Sequence, residues 1–96
     1  MAGSNEYTLK QAIEALINNF KIEERLNETA IITEWERIVG KMVARHTSNI
    51  YIKNKVLVIE LDSAALRNEL GYAKTRLISA VNTAVKADVI VDIVFI

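Results

Sequence analysis

Apolar residues recur every three or four positions through the first half of the chain, the spacing that places them on one face of an α-helix. Thr8, with Gln11 three residues later, predicts the beginning of a first helix. Ile22 and Leu26 predict a second, short helix, and a third begins near Thr29. We expect the apolar stripes of the first and third helices to face the core. The first stripe comprises Leu9, Ile13, Leu16, Ile17 and Phe20, and the third comprises Ile31, Trp35, Ile38, Val39 and Met42.

Gly40 falls inside the apolar pattern of the third helix. A glycine in the middle of a helix costs roughly 1 kcal/mol relative to alanine. Its presence predicts either a break in the helix or the close approach of another backbone, and the pattern does not choose between them.

From Ser48 the period changes to two, which is typical of a strand covered on one face. Residues 48–53 and 56–61 alternate in this way on either side of Asn54 and Lys55. The pattern predicts a β-hairpin with a two-residue turn. Asparagine tolerates the positive φ that such a turn requires, although Lys55 stands where glycine is usual.

A long helix after Asp62 or Ser63 and a closing strand complete the predicted order. The helix places Leu66, Leu70 and Leu77 on one stripe, and the strand "VIVDIVFI" is apolar on nearly both faces, so we expect it to be central or well protected. The predicted fold is α+β, in the order α-α-α-β-β-α-β, with the helices packed on one face of a three-stranded sheet. If the closing strand lies beside the second strand, the two are parallel. If it lies beside the first strand, the pair is antiparallel.

The length of the chain limits it to one core. Domains usually take roughly 100 to 150 residues, so the 96 residues predict a single domain, 1–96, with residues 1–7 disordered. The first residues lack a basic segment followed by an apolar one, and no run approaches the roughly 18 apolar residues of a membrane span. We therefore expect a cytoplasmic protein with no membrane partner.

Few residues of this chain are suited to catalysis or to metal binding. It has no cysteine and one histidine, His46, which excludes thiolate zinc sites, cysteine nucleophiles and the usual catalytic triads. No glycine-rich phosphate loop is present. The prediction is a protein that is not an enzyme, with no metal, cofactor or small-molecule substrate. A reactive His46 is the alternative.

The run "WERIVGKMVARHT", residues 35–47, collects the only tryptophan and the only histidine of the chain. Trp35 is predicted to anchor the core, because its neighbours at helical spacing are apolar. His46 and Thr47 are predicted to finish the helix by bonding nearby backbone. Together with Gly40, these residues lead us to interpret the run as a structural motif.

Charge is segregated along the chain although its net value is zero. Residues 1–36 hold seven acids and three bases, whereas residues 37–86 hold nine bases and three acids. Charge alone favours two ordinary solvated faces, and the alternative is a basic strip that contacts nucleic-acid phosphates. Tyr51 and Tyr72 are candidates for stacking on bases, although partial burial is the commoner fate of tyrosine. The predicted nucleic-acid-binding residues are Lys41, Arg45, Lys53, Lys55, Arg67 and Lys74.

The string "WERIVGKMVARHT", then "LVIELDSAALRNEL", then a helix with Leu77 and Asn82 and a closing strand, together resemble the DciA family of bacteria. The resemblance runs from about Leu9 to the end of the chain. It implies a fold similar to the K-homology nucleic-acid-binding domain and a role in bacterial DNA replication. DciA-like proteins associate with the replicative DnaB-type helicase and help to load it on DNA.

If the basic residues converge, we expect contact with single-stranded or forked DNA without sequence preference, because phosphate contacts carry no sequence information, and association with the nucleoid. Nucleic-acid-binding K-homology domains approach phosphates through a G-x-x-G loop between two helices. The nearest string here is "GYAK", in which Lys74 replaces the second glycine after Gly71. The alternative function is a protein-interaction module that uses the acidic residues 1–28 or a sheet edge and has no direct nucleic-acid contact.

Overall fold

The computed structural model describes the backbone of residues 2–96 and the side chains of residues 8–96. The sequence predicts disorder for residues 1–7. The side chains of these residues lie outside the described part of the structure, so this prediction stays a prediction. The α+β class is confirmed, as is the succession of helices, hairpin, helical connection and closing strand. The elements are α1 (Ala2–Val39), α2 (Lys41–Arg45), β1 (Thr47–Lys53), β2 (Val56–Leu61), α3 (Ala64–Tyr72), α4 (Lys74–Val85) and β3 (Asp92–Phe95).

Helix α1 is continuous, so the breaks predicted before Ile22 and near Thr29 are absent, and Thr8 lies inside the helix rather than at its beginning. Its 38 residues span about 57 Å at 1.5 Å per residue. The molecule is accordingly 65 Å long and 20 Å across. The physical reason is that no glycine or proline lies between Gly3 and Gly40, so no residue in this stretch interrupts the backbone ladder.

Gly40 separates α1 from the single turn of α2. Its φ of 89° and ψ of 166° lie in a region that is essentially restricted to glycine. A Cβ placed on Gly40 would meet no heavy atom within 4 Å. Of the two predicted reasons for this glycine, a break in the helix is therefore the one that applies, and the close approach of another backbone is not.

The sheet has the order β1-β2-β3, with β1 antiparallel and β3 parallel to β2. This settles the choice that the sequence left open. It also makes β3 an edge strand, so the expectation that the closing strand is central or well protected is wrong. Val91, Val94 and Ile96 are exposed. The buried residues of this segment are Val89 and Ile90, just before the strand, and Ile93 within it.

Asn82 of α4 turns Val89 and Ile90 into the core. Its side-chain oxygen accepts hydrogen bonds from the backbone N–H groups of both residues, each at 3.0 Å, and its amide donates to the Ile90 carbonyl at 2.9 Å. These three bonds replace the strand pairing that the apolar run predicts for Val89 and Ile90, whereas the Val91 N–H still donates to the Lys55 carbonyl at 2.8 Å. Strand β3 is therefore limited to four residues.

The helices cover one face of the sheet. Leu57, Ile59 and Ile93 are fully buried on that face, together with Ile31 of α1 and Val81 of α4. The helix predicted after the hairpin is divided at Ala73 into α3 and α4, and Ser63 caps α3 by accepting a hydrogen bond from the Leu66 N–H at 3.2 Å. The opposite face of the sheet has no helix on it, and we call it the open face.

Replacing Gly40 with alanine should lower the free energy of unfolding by about 1–3 kcal/mol, because alanine resists this φ even where space is available. Urea denaturation followed by circular dichroism measures the change. The matched control is Gly71→Ala. Gly71 lies within α3 without a positive φ and with equal space around it, so alanine there should raise stability by up to about 1 kcal/mol. Equal changes in stability for Gly40→Ala and Gly71→Ala would contradict the conclusion that the positive φ of Gly40 requires glycine.

Candidate nucleic-acid interface

Trp35, Thr47 and Val43 form a chain of hydrogen bonds behind the sheet. The indole is 3% exposed, and its N–H donates to the Thr47 hydroxyl at 3.1 Å. That hydroxyl donates in turn to the Val43 carbonyl at 2.9 Å. The buried tryptophan therefore ties the end of α1 to α2 and to the first residue of β1.

His46 and Asp62 join the two ends of the hairpin. The His46 Nδ1 lies 2.7 Å from Asp62 Oδ1, and the Asp62 N–H donates to the His46 carbonyl at 3.0 Å. Both side chains are substantially exposed to solvent. This geometry positions the hairpin against α2. Within the described side chains, no three His, Asp or Glu residues are grouped so that they could hold a metal ion.

The predicted cations divide into two groups, at the base and at the tip of the hairpin. Lys41 and Arg45 lie one turn apart on α2, where they line a shallow depression with Glu36. Arg67 lies at the same end, but its guanidinium is half-buried and donates to the Leu61 carbonyl at 2.7 Å. The base therefore presents two exposed cations, and Arg67 fastens α3 to the end of β2.

Lys53 lies on the open face at the hairpin tip, and Lys74, the first residue of α4, lies near the β3 edge at the same end of the sheet. The seven residues of β1 separate the base from the tip by about 20 Å. Lys53 is opposite Val56, which is opposite Asp92, and two strand spacings amount to about 10 Å. The Lys74 ammonium lies 3.4 Å from the Asp92 carboxylate. The structure therefore does not join all six cations into one strip.

Lys55 faces the helix side of the tip. Asn54 and Lys55 have φ values of 52° and 63°, as a tight two-residue hairpin turn requires. The Lys55 side chain lines a crevice of about 250 Å³ between the hairpin tip and α1, together with Glu23, Glu24 and Asp88. Three carboxylates surround this one ammonium, so the crevice does not attract phosphate.

Two exposed aromatic side chains flank the cations of the tip. Tyr51 lies on the open face two residues before Lys53, with 41% of its surface exposed. Tyr72 ends α3 two residues before Lys74 and is 90% exposed. The partial burial usual for tyrosine does not apply to Tyr72. Arg76, which the sequence-based selection omitted, is also exposed, in the first turn of α4.

The sequence pattern of one protein family, described as Dna[CI] antecedent, DciA, matches residues 8–95. The chain belongs to the DciA family. This confirms the resemblance and supports a role as a protein like the replicative helicase loaders of bacterial DNA replication. DciA proteins are helicase loaders rather than a family of catalysts. No curated protein and no solved structure matches the chain.

None of the described helices combines the length and the apolarity needed to cross a bilayer.

Replacing Thr47 with valine should lower the free energy of unfolding by about 1–3 kcal/mol, since the buried Trp35 N–H loses its acceptor. The Val43 carbonyl still accepts a hydrogen bond from the His46 N–H at 3.1 Å. In a Trp35→Phe background the same change should cost less, with a coupling of at least about 0.5 kcal/mol. Thermal and urea unfolding of the four proteins of this cycle measure it.

Thr33→Val is the matched control for this cycle. Its hydroxyl donates to the Thr29 carbonyl at 3.0 Å in an exposed part of α1, so its loss should change stability by less than about 0.5 kcal/mol. Additive costs for Thr47→Val and Trp35→Phe would show that the hydrogen bond between them contributes nothing.

Proposed function

We propose that this protein binds DNA at the tip end of its open face and there assists the loading of the replicative DnaB-type helicase, acting by binding and without catalysis. Membership of the DciA family over residues 8–95 is the observation that carries the proposal. The proposed location is the cytoplasm, at the nucleoid. Single-stranded or forked DNA is the proposed ligand, held without sequence preference.

The chemistry of the tip end of the open face supports this assignment. Lys53 lies about 10 Å across the sheet from Asp92, with which Lys74 forms an ion pair, and backbone phosphates of one strand can span such a distance. Tyr51 and Tyr72 add two exposed rings, each able to stack on a base for about 1–3 kcal/mol. Neither kind of contact reads a base edge, so the binding is indifferent to sequence.

A K-homology-like fold is part of the same proposal. The helices lie on one face of a three-stranded sheet, and α3 meets α4 within the string Gly71 to Lys74. In nucleic-acid-binding K-homology domains a G-x-x-G loop occupies a junction between helices. Here Lys74 replaces the second glycine and begins α4, so we propose that an ammonium contacts the phosphate where that loop would offer backbone.

The double charge reversal Lys53→Glu with Lys74→Glu should reduce DNA affinity at least about tenfold at low salt, because two attractive contacts become repulsive. Fluorescence anisotropy with labelled single-stranded and forked oligonucleotides measures the affinity. The matched control is Lys41→Glu with Arg45→Glu, which makes the same charge change at the base of the hairpin, about 20 Å away. The control should retain most of the affinity.

The salt dependence of binding counts the phosphate contacts. Two to three contacts with single-stranded DNA predict a slope of log K against log salt of about −1.4 to −2.1. The tip variant should flatten this slope, and the base variant should leave it unchanged. An equal loss in both variants would point to a diffuse basic field, and no DNA binding by the native chain would contradict the proposal.

A protein-interaction module without nucleic-acid contact is the second candidate function. The exposed apolar stripe on residues 9–20 of α1 favours it, because such a surface suits a protein partner. Co-purification of the DnaB-type helicase with the native chain and with the tip variant separates the two functions. Helicase binding that survives in both, with no DNA binding in either, would favour the second.

A further inference from the structure

Helix α1 has apolar residues on one side at residues 9–20 and again at Ile31 and Trp35, with the polar residues Glu24 and Asn27 on that side between them. The rest of the protein covers only the last part of this side. Ile31 and Trp35 are buried. At 100° per residue, Ile13 has the same orientation around the helix axis as Ile31, and Leu9, Leu16 and Phe20 lie within about 60° of it. The face that enters the core therefore continues beyond the sheet. We call residues 8–26 the arm and residues 27–96 the body.

The apolar face of the arm is open to solvent. Leu9, Ile13, Leu16, Ile17 and Phe20 are between 49% and 69% exposed. At about 100 Å² each they form a patch of about 500 Å², near the upper limit for a monomeric protein. Two such patches facing one another would bury about 1,000 Å², the lower limit of a specific interface. The patch is thus large enough for a weak, self-complementary contact.

We propose that the arm is the interface for a second copy of this chain, packed antiparallel to the first. The pairing places Leu9 of each copy against Phe20 of the other, and Ile13 against Leu16, so that all four central layers are apolar. The inference concerns self-association and does not depend on the proposed function.

Sterics and charge both favour the antiparallel arrangement. The body lies on the same side of α1 as the apolar face, so a parallel pair in register would bring two bodies, each about 20 Å across, into one place. A parallel pair would also align Lys10 with Lys10 and Glu24 with Glu24. The antiparallel pair separates the bodies and brings the N-terminal turn with Lys10 near the acidic end of the partner arm.

The crevice beside Lys55 fits the N-terminal turn of a second arm. Phe20, Ala87 and Val89 line it with apolar surface, and the carboxylates of Glu23, Glu24 and Asp88 lie around them. In the proposed register Leu9 of the partner contacts Phe20. A lysine side chain on a helix leans toward the N-terminus, which directs Lys10 toward these carboxylates. The crevice therefore complements a partner segment that presents an apolar side chain next to a cation.

Sedimentation velocity of the full chain over a range of concentrations tests the proposal. We expect a reversible dimer with a Kd of about 1–100 µM, in keeping with an interface of minimal size. Leu16→Glu should raise the Kd more than about 100-fold, because a carboxylate would be buried in the seam. Leu16 is 69% exposed, so this change leaves the fold of the monomer intact.

Ile22→Glu is the matched control. Ile22 is 55% exposed and lies on the opposite side of the helix, about 180° from Ile13 and Ile31. The same substitution there should leave the Kd within about twofold of the native value. Circular dichroism of both variants should match that of the native chain.

Disulfide trapping tests the orientation, since the native chain has no cysteine. A mixture of Leu9→Cys and Phe20→Cys chains should form the mixed disulfide, whereas each alone should not, because like positions lie about 16 Å apart in the proposed register. A native chain that stays monomeric at the highest concentration, or a Leu9→Cys chain that couples to itself, would overturn the proposal. So would dimerisation that Ile22→Glu abolishes and Leu16→Glu does not.

Discussion

The burial of Ile31 and Trp35 fixes one end of a long helix to a small body, and the other features of the molecule follow from that contact. The indole is buried and its N–H is bonded to Thr47, so α1 cannot slide along the sheet without leaving a buried donor unpaired. A domain of this size has only one core to offer. The same contact therefore leaves the first two thirds of the helix outside it.

The same packing explains why one face of the sheet stays open. All four helices enter the core from the side of Leu57, Ile59 and Ile93, and the hairpin carries β1 and β2 away from the corner where α1 ends. The turn at Asn54 and Lys55 places a lysine in a left-handed conformation in which glycine would be less strained. Natural sequences place a residue against its conformational preference mainly where the side chain has a function or a specific contact. Here the Lys55 side chain lies among the carboxylates of the crevice.

Periodicity and one motif were sufficient to predict the class, the hairpin and the family, because each depends on residues close together in sequence. The boundaries of the helices were not predicted correctly. An apolar stripe at residues 9–20 has the same signature whether its own body covers it or a partner does, so its exposure was not visible in the pattern. The uninterrupted backbone was visible, in the absence of glycine and proline between Gly3 and Gly40.

The parts of the candidate site that were not predictable depend on long-range packing. Strand order decides that Asp92 lies two strands from Lys53, and only then do Lys53 and Lys74 become neighbours. Arg67 is positively charged and lies seven residues before Lys74, as expected for a phosphate ligand on the same helix face. Its guanidinium nevertheless donates a hydrogen bond to the Leu61 carbonyl at the end of β2. Sequence alone cannot distinguish a cation that serves the fold from one that is available to a ligand.

The two proposed surfaces meet at the hairpin tip without sharing a residue. Lys53 belongs to the open face, whereas Lys55 lies in the crevice on the helix side, so DNA and a second arm can be bound together. Their charges nevertheless interact, because the tip is only a few residues wide and the Debye length is about 8–10 Å in physiological salt. The carboxylates of the crevice weaken the attraction of the tip for phosphate. We propose that a partner Lys10 neutralises these carboxylates and strengthens that attraction, so that self-association and DNA binding would reinforce each other.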